Sequence, residues 1–294
     1  MLFSYQPEDA ATCLNQRSVV FIGDSVTRTL FFQMAHILDP DLPSAPTDDR
    51  QKHIDYSFPT RFGSNISFHW DPFLNTSDTV RAIGSRAENT QTAVSNSSTP
   101  SLLVLGSGLW HLHYAETSGG VASWEANMDH FFQTITTSSN TPADVVVVLP
   151  VPEVVSSKLS PERASTMHSS DIHAMNSDLF HRINPSGGSL HLFTGKRVPP
   201  IALPLAFNEM LDASDTDDGL HFTDALVKVQ ANILLNLRCN DVLPKKFPFD
   251  KTCCRTYPWP SFPQTLILVV LAAWGPYKWL SQRSGSVCST TCYC

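Results

Sequence analysis

Val19-Val20-Phe21-Ile22-Gly23-Asp24-Ser25 is the stretch whose reading decides the fold. Ser18 to Ile22 is short, continuous and apolar, the pattern of a strand buried on both faces of a parallel sheet. Gly23 and Asp24 suit a tight turn leaving that strand. From Val26 to Leu38 the apolar residues Val26, Leu30, Met34, Ile37 and Leu38 keep helical spacing, and Pro40 and Pro43 stop the helix. Ser25 therefore stands at a strand-to-helix joint. Working outward, Leu102 to Leu105 reads as a second buried strand ending at Gly106-Ser107-Gly108. Val145 to Leu149 reads as a third, closed by Pro150-Val151-Pro152. Asn65 to Trp70 alternates like a strand, and Leu190 to Phe193 is a short one. Helices are expected over Val121 to Ile135, from Ser160 and Pro161 to Phe180, and after Thr223, with Leu226, Val229, Ile233 and Leu237 as the apolar face of the last. Asp41 to Arg61 reads as loop, and Ser77 to Pro100 as an exposed excursion. Strand and helix alternate, which predicts an α/β fold: a three-layer α/β/α sandwich with a mostly parallel sheet. Sites in such folds collect at the carboxyl ends of strands, where Ser25 stands.

The chain has 294 residues, 42% of them hydrophobic, enough to bury a full core. A net charge of −7 without a basic stripe argues against a nucleic-acid partner. The organisation expected is one large domain over 1–250, a Cys/Pro-rich linker over 251–265, an apolar segment over 266–280 and a tail over 281–294. The apolar segment falls short of the roughly 20 residues of a spanning helix. Of the seven cysteines, Cys13, Cys239, Cys253 and Cys254 lie in or just after the domain and could form disulfides whose pairing the sequence leaves open. Asn65, Asn75 and Asn96 each open an Asn-x-Ser/Thr glycosylation acceptor, which favours a secretory location. Met1 to Gln16 has neither a long apolar core nor a basic start, so no signal peptide is visible.

Near the other end, Asp218-Gly219-Leu220-His221 sets an acid and a histidine three residues apart, one helical turn. A serine hydroxyl needs a base to take its proton as it attacks a carbonyl, and the base needs an orienting acid. Ser25, His221 and Asp218 supply those groups. The Ser25 N–H, at a helix N-terminus, can face a developing oxyanion. The same strings also suit a helix cap and a surface turn. The residue two after Ser25 is Thr27, so the Gly-x-Ser-x-Gly elbow does not fit. His111 and His113 would share one strand face, but no carboxylate or cysteine stands at a supporting spacing, and no metal site is expected. In the acidic run Asp212, Asp215, Asp217, Asp218 and Asp224, all but Asp218 read as a solvated turn.

Gly23-Asp24-Ser25 and Asp218-x-x-His221 resemble the SGNH (GDSL-like) esterases and acetyltransferases. Cys13-Leu14, Lys52-His53, Trp70 with Pro72, Gly106 with Trp110, Cys239-Asn240 and Cys253-Cys254 narrow the resemblance. They are similar to the luminal domain of the fungal capsule polysaccharide and animal sialate O-acetyltransferases, over roughly residues 5 to 270. The resemblance implies a Golgi membrane protein with this domain in the lumen and a multi-span region after it. It implies a Ser25, Asp218, His221 triad moving acetyl from acetyl-CoA to a hydroxyl of a sugar or polysaccharide acceptor through an acetyl-serine. Many SGNH enzymes place an Asn amide where this chain has Gly108; the backbone of Gly106 or Gly108, with that of Ser25, is the expected oxyanion substitute. By the same resemblance the chain is expected to be part of a longer protein, tied to the membrane through the segment at 266–280. The alternatives are a carbohydrate esterase with the same triad, in which water replaces the sugar, and a non-catalytic glycan-binding module.

Overall fold

A computed structural model describes residues 3–48, 52–76, 79, 99–137, 141–183, 201–240 and 242–243. They belong almost wholly to one compact unit, Ser4–Leu243; a second comprises Met1–Phe3 and Pro244–Cys294. The short strand expected at Leu190 to Phe193, the linker, the apolar segment and the tail lie outside the described residues.

The described residues form a six-stranded sheet in the order β2-β3-β1-β4-β5-β6. Its strands are β1 (Val19–Gly23), β2 (Tyr56–Pro59), β3 (Asn65–Trp70), β4 (Leu102–Gly106), β5 (Val145–Val148) and β6 (Ile201–Ala202). All neighbours run parallel except β2 with β3. β1 is central, with Gly23 opposite Trp70 on one side and Gly106 on the other. The chain builds β2 and β3 to one side of β1 and then crosses to build β4, β5 and β6 on the other. The end of β1 is thus the point where strand order reverses, and there a crevice opens in such sheets.

Helices cover both faces, compatible with the expected sandwich. On one face α1 (Pro7–Leu14), α2 (Ser25–Leu38) and α9 (Asp224–Cys239) pack together. Phe31 of α2 meets Phe21 and Phe68 of the sheet at centroid distances of 5.9 and 5.7 Å. The opposite face carries α5 (Gly120–Thr137) and α7 (Ser169–Ile183), and two short helices, α4 (Ala115–Ser118) and α8 (Ala206–Glu209), stand in the connections. Their Trp124, Met128 and Met175 join Ile22, Leu103, Leu105 and Val146 in a continuous buried cluster. The alternating destinations of β1, with Phe21 to one layer and Ile22 to the other, explain why its sequence is apolar throughout.

Four expectations are corrected. Tyr56–Pro59, read as loop, is an edge strand; Tyr56 and Phe58 turn toward Phe31, and Pro59 is tolerated at an edge. The helix expected from Ser160 to Phe180 is two, α6 (Pro161–Ala164) and α7, interrupted at Ser165 to His168. His111 and His113 lie on a short helix, α3 (Leu109–His113), not a strand, so two-residue spacing does not put them on one face. Within the excursion read as exposed, Thr79 is buried, and its hydroxyl donates to Asp71 at 2.5 Å.

Candidate active site

Asp24 caps α2. Its carboxylate accepts the N–H groups of Val26 at 3.0 Å and Thr27 at 3.2 Å, while the Ser25 N–H has no hydrogen-bond partner among the described residues. Burial pushes the Asp24 carboxyl up; the two capped amides oppose this only in part. Ser25 thereby opens the helix with a free N–H and the positive end of the helix dipole behind it. Side chains are excluded where β1 meets β4. A Cβ on Gly23 would lie 2.2 Å from the Gly106 carbonyl oxygen, and one on Gly106 would lie 2.2 Å from Thr27 Oγ1.

The Asp218 to His221 segment is a turn rather than a helix. Thr216 and Phe222 form an antiparallel bridge around it, and Gly219 takes a φ of +78° where a Cβ would meet the Val155 carbonyl at 2.7 Å. Asp218 Oδ1 accepts the N–H groups of Leu220 at 2.9 Å and His221 at 2.8 Å, which locks the carboxylate under the ring. Asp218 Oδ2 stands 2.7 Å from His221 Nδ1, and His221 Nε2 stands 2.9 Å from Ser25 Oγ. The network assigns the tautomer: Nδ1–H donates to Asp218, and Nε2 accepts the serine hydroxyl. Partial burial alone would raise the Asp218 carboxyl, but the His221 amide and ring and the Leu220 amide hold it at about 2. It is a carboxylate under any physiological condition. The three residues named from sequence are thus brought together in the order hydroxyl, imidazole, carboxylate, an arrangement able to activate the hydroxyl as a nucleophile.

The other expected positions fall as follows. Gly106 and His221 edge a cleft of about 620 Å³, counting the solvent at its mouth, whose apolar wall includes Leu30, Leu149, Phe207 and Leu211. Gly108 is not on that cleft; it precedes α3, and a Cβ there would lie 2.6 Å from Val151 Cγ2. Asn65 and Asn75 are exposed, and Asn96 lies outside the described residues. Among the described residues no three His, Cys, Asp or Glu side chains group to hold a metal.

Three residues escaped the sequence reading. Ser107 lines the cleft, and its hydroxyl donates to the Pro72 carbonyl at 2.8 Å and faces His111 Nδ1 at 3.4 Å. Arg163 Nη1 stands 3.5 Å from Asp218 Oδ2. Arg28, one turn after Ser25, lies over the Trp70 ring at 5.8 Å. The only advance signal for Arg28 was its helical spacing from Ser25. Beside it, residues that carried the family resemblance gather into one aromatic wall: His53 stacks on Trp70 at 4.4 Å, and Trp70 meets Trp110 edge-on at 5.4 Å.

Cys13 and Cys239 form a disulfide between α1 and α9. Among the described residues no helix is long and apolar enough to cross a membrane.

No family model matches the chain. It is similar to the N-acetylneuraminate (7)9-O-acetyltransferase of Danio rerio, 25% identical over 273 residues. The likeness takes in 92% of this chain, which spans only 31% of the relative's length.

Proposed function

We propose that this chain is an SGNH-like glycan O-acetyltransferase domain, which moves acetyl from acetyl-CoA to a sugar hydroxyl through an acetyl-serine. The observation that carries the reading is the relay from Ser25 Oγ to His221 Nε2 at 2.9 Å and from His221 Nδ1 to Asp218 Oδ2 at 2.7 Å. The relative's name supports acetyl transfer to an acidic sugar in place of simple hydrolysis. In the first half-reaction Ser25 Oγ attacks the acetyl carbonyl as His221 Nε2 takes its proton. Asp218 stabilises the imidazolium without accepting that proton, in keeping with its low pKa. The Ser25 N–H, and backbone at Gly106, would meet the oxyanion. Collapse expels the CoA thiolate, which takes the proton from His221. In the second half-reaction His221 deprotonates a sugar hydroxyl, which attacks the acetyl-enzyme and regenerates Ser25. The exposed Asn65 and Asn75 acceptors and the Cys13–Cys239 bridge suit a Golgi lumen.

The test is the intact mass of the chain after mixing with acetyl-CoA. The expected outcome is a gain of one acetyl group that Ser25→Ala abolishes. A wild-type chain that releases acetate without forming more acetyl-sugar when sugar is supplied would be an esterase. A Ser25→Ala chain that still gains the acetyl group would sink the covalent step.

A further inference from the structure

The proposed chemistry leaves the guanidinium of Arg28 unused. Arg28 lies on α2 one turn past Ser25 and is 7% exposed. Burying an arginine without a counter-ion is costly, and such cations are ordinarily paired. Here, among the described residues, no carboxylate stands within ion-pair distance of it. Nη1 donates to the Lys52 carbonyl, the guanidinium lies over Trp70, and Nε is fully buried without a hydrogen-bond partner. This is a cation with unspent donors.

Its surroundings have the other half of a sugar site. Trp70 is opposite Gly23 in the sheet register, and Trp110 follows four residues after Gly106, the other partner of Gly23. The wall they form therefore rises at the carboxyl ends of β3 and β4, beside the joint that carries Ser25. Both rings are half-buried; Tyr114, 5.1 Å from Trp110, is 42% exposed, and His53 is exposed. Partly wet aromatic faces suit the C–H face of a pyranose, which is apolar on one side and polar at its rim.

The geometry points to an acceptor subsite in which Arg28 binds the carboxylate of an acidic sugar and Trp110 and Tyr114 take its ring face, His53 and Arg28 already lying on Trp70. This rests on the reading that Ser25 passes acetyl to a sugar. A guanidinium offers two parallel N–H groups to a carboxylate, a match a lysine cannot reproduce. One buried cation in a chain of net charge −7 suits a monoanion better than the clustered phosphates of a nucleotide.

The test is a binding measurement on the full chain carrying Ser25→Ala, so that no acetyl transfer intervenes. The probes are the methyl glycoside of N-acetylneuraminic acid, its carboxyl methyl ester, and desulfo-CoA. The acid is expected to bind at least tenfold more tightly than the ester. Arg28→Gln should erase that difference. Because Arg28 is buried, a second variant guards against misfolding: His53→Glu, on an exposed residue stacked against Trp70, offers Arg28 an internal carboxylate. It should cut the acid's advantage over the ester at least tenfold, whatever the loss of the His53 ring costs the two probes alike. Equal affinity for acid and ester, no binding of either, or an advantage of the acid untouched by His53→Glu would overturn the subsite. So would Arg28 dependence that appears for desulfo-CoA in place of the glycoside. Failure of the acetyl-serine reading would show separately, in the mass experiment, and leaves these arms readable.

Discussion

His111 is fully buried behind the loop that follows β4, held between Ser107 and the Asn127 amide, which donates to its Nε2 at 3.3 Å and to the Phe73 carbonyl at 2.9 Å. With Nε2 accepting, Nδ1 keeps the proton, and the ring is neutral. Burial pulls its pKa down from 6.5 to about 4, only partly opposed by the Asp71 carboxylate. The consequence for stability has a definite sign. Between the unfolded value near 6.5 and the folded value near 4 the unfolded chain binds a proton that the folded chain refuses, so stability is full above about pH 6.5 and falls as pH drops toward 4. The loss should reach about 3 kcal/mol. Urea denaturation across that range will measure it, and His111→Gln should flatten this part of the profile; an unchanged slope in the variant would place the dependence elsewhere. Beside His113 in the sequence, this histidine has the spacing of a metal ligand without the supporting carboxylate or cysteine. Its role as a hydrogen-bonded core residue was illegible there, because its partners Ser107 and Asn127 follow no motif.

Among the elements, the outcome for α9 is instructive. Its existence and span followed from periodicity, yet the face chosen from Leu226, Val229, Ile233 and Leu237 is turned by one residue. The buried set is Val227, Gln230, Ala231, Leu234, Leu235, Asn236 and Cys239, while Val229 is 43% exposed. A helix apolar on more than one stripe offers two registers, and packing against α2 selects between them. Leu234→Ala should therefore cost about 2–5 kcal/mol of stability. Val229→Ala should stay within about 0.5 kcal/mol. Paired chemical denaturation curves decide it, and equal effects would refute the assigned face. β2 was missed for a related reason. Four residues with polar Ser57 between Tyr56 and Phe58 are too few to rise above loop composition, and only pairing with β3 makes them a strand. The buried parallel strands, by contrast, were legible because both faces demand apolar residues and leave an unbroken run.

At the scale of the molecule, the disulfide between Cys13 and Cys239 joins cysteines 226 residues apart. Sequence supplied the cysteines but not the pairing, since pairing depends on α1 and α9 lying side by side. Closing so long a loop restricts the unfolded chain strongly, and Cys13→Ser with Cys239→Ser should lower stability by about 2–5 kcal/mol. Thermal melts with and without reductant provide the check: the wild type should shift on reduction and the double variant should not. The relay was the most legible part of the site because its chemistry restricts the residue types to a few. The aromatic wall and Arg28 were not, since tryptophan and arginine have many ordinary uses and only the register of β1 with β3 and β4 brings them beside Ser25.

The hydroxyl of Ser25 and the imidazole of His221 meet across 196 residues of sequence. Ribosomes deliver a chain from its amino end at roughly 5–20 residues per second. Ser25 is thus made early and remains an ordinary alcohol until the last turn before α9 has emerged and docked. A nascent or prematurely ended chain lacking His221 has the serine but cannot activate it. Under the proposed mechanism, activation therefore arrives only when synthesis of the domain is all but finished, so a half-built molecule cannot acylate itself or its surroundings.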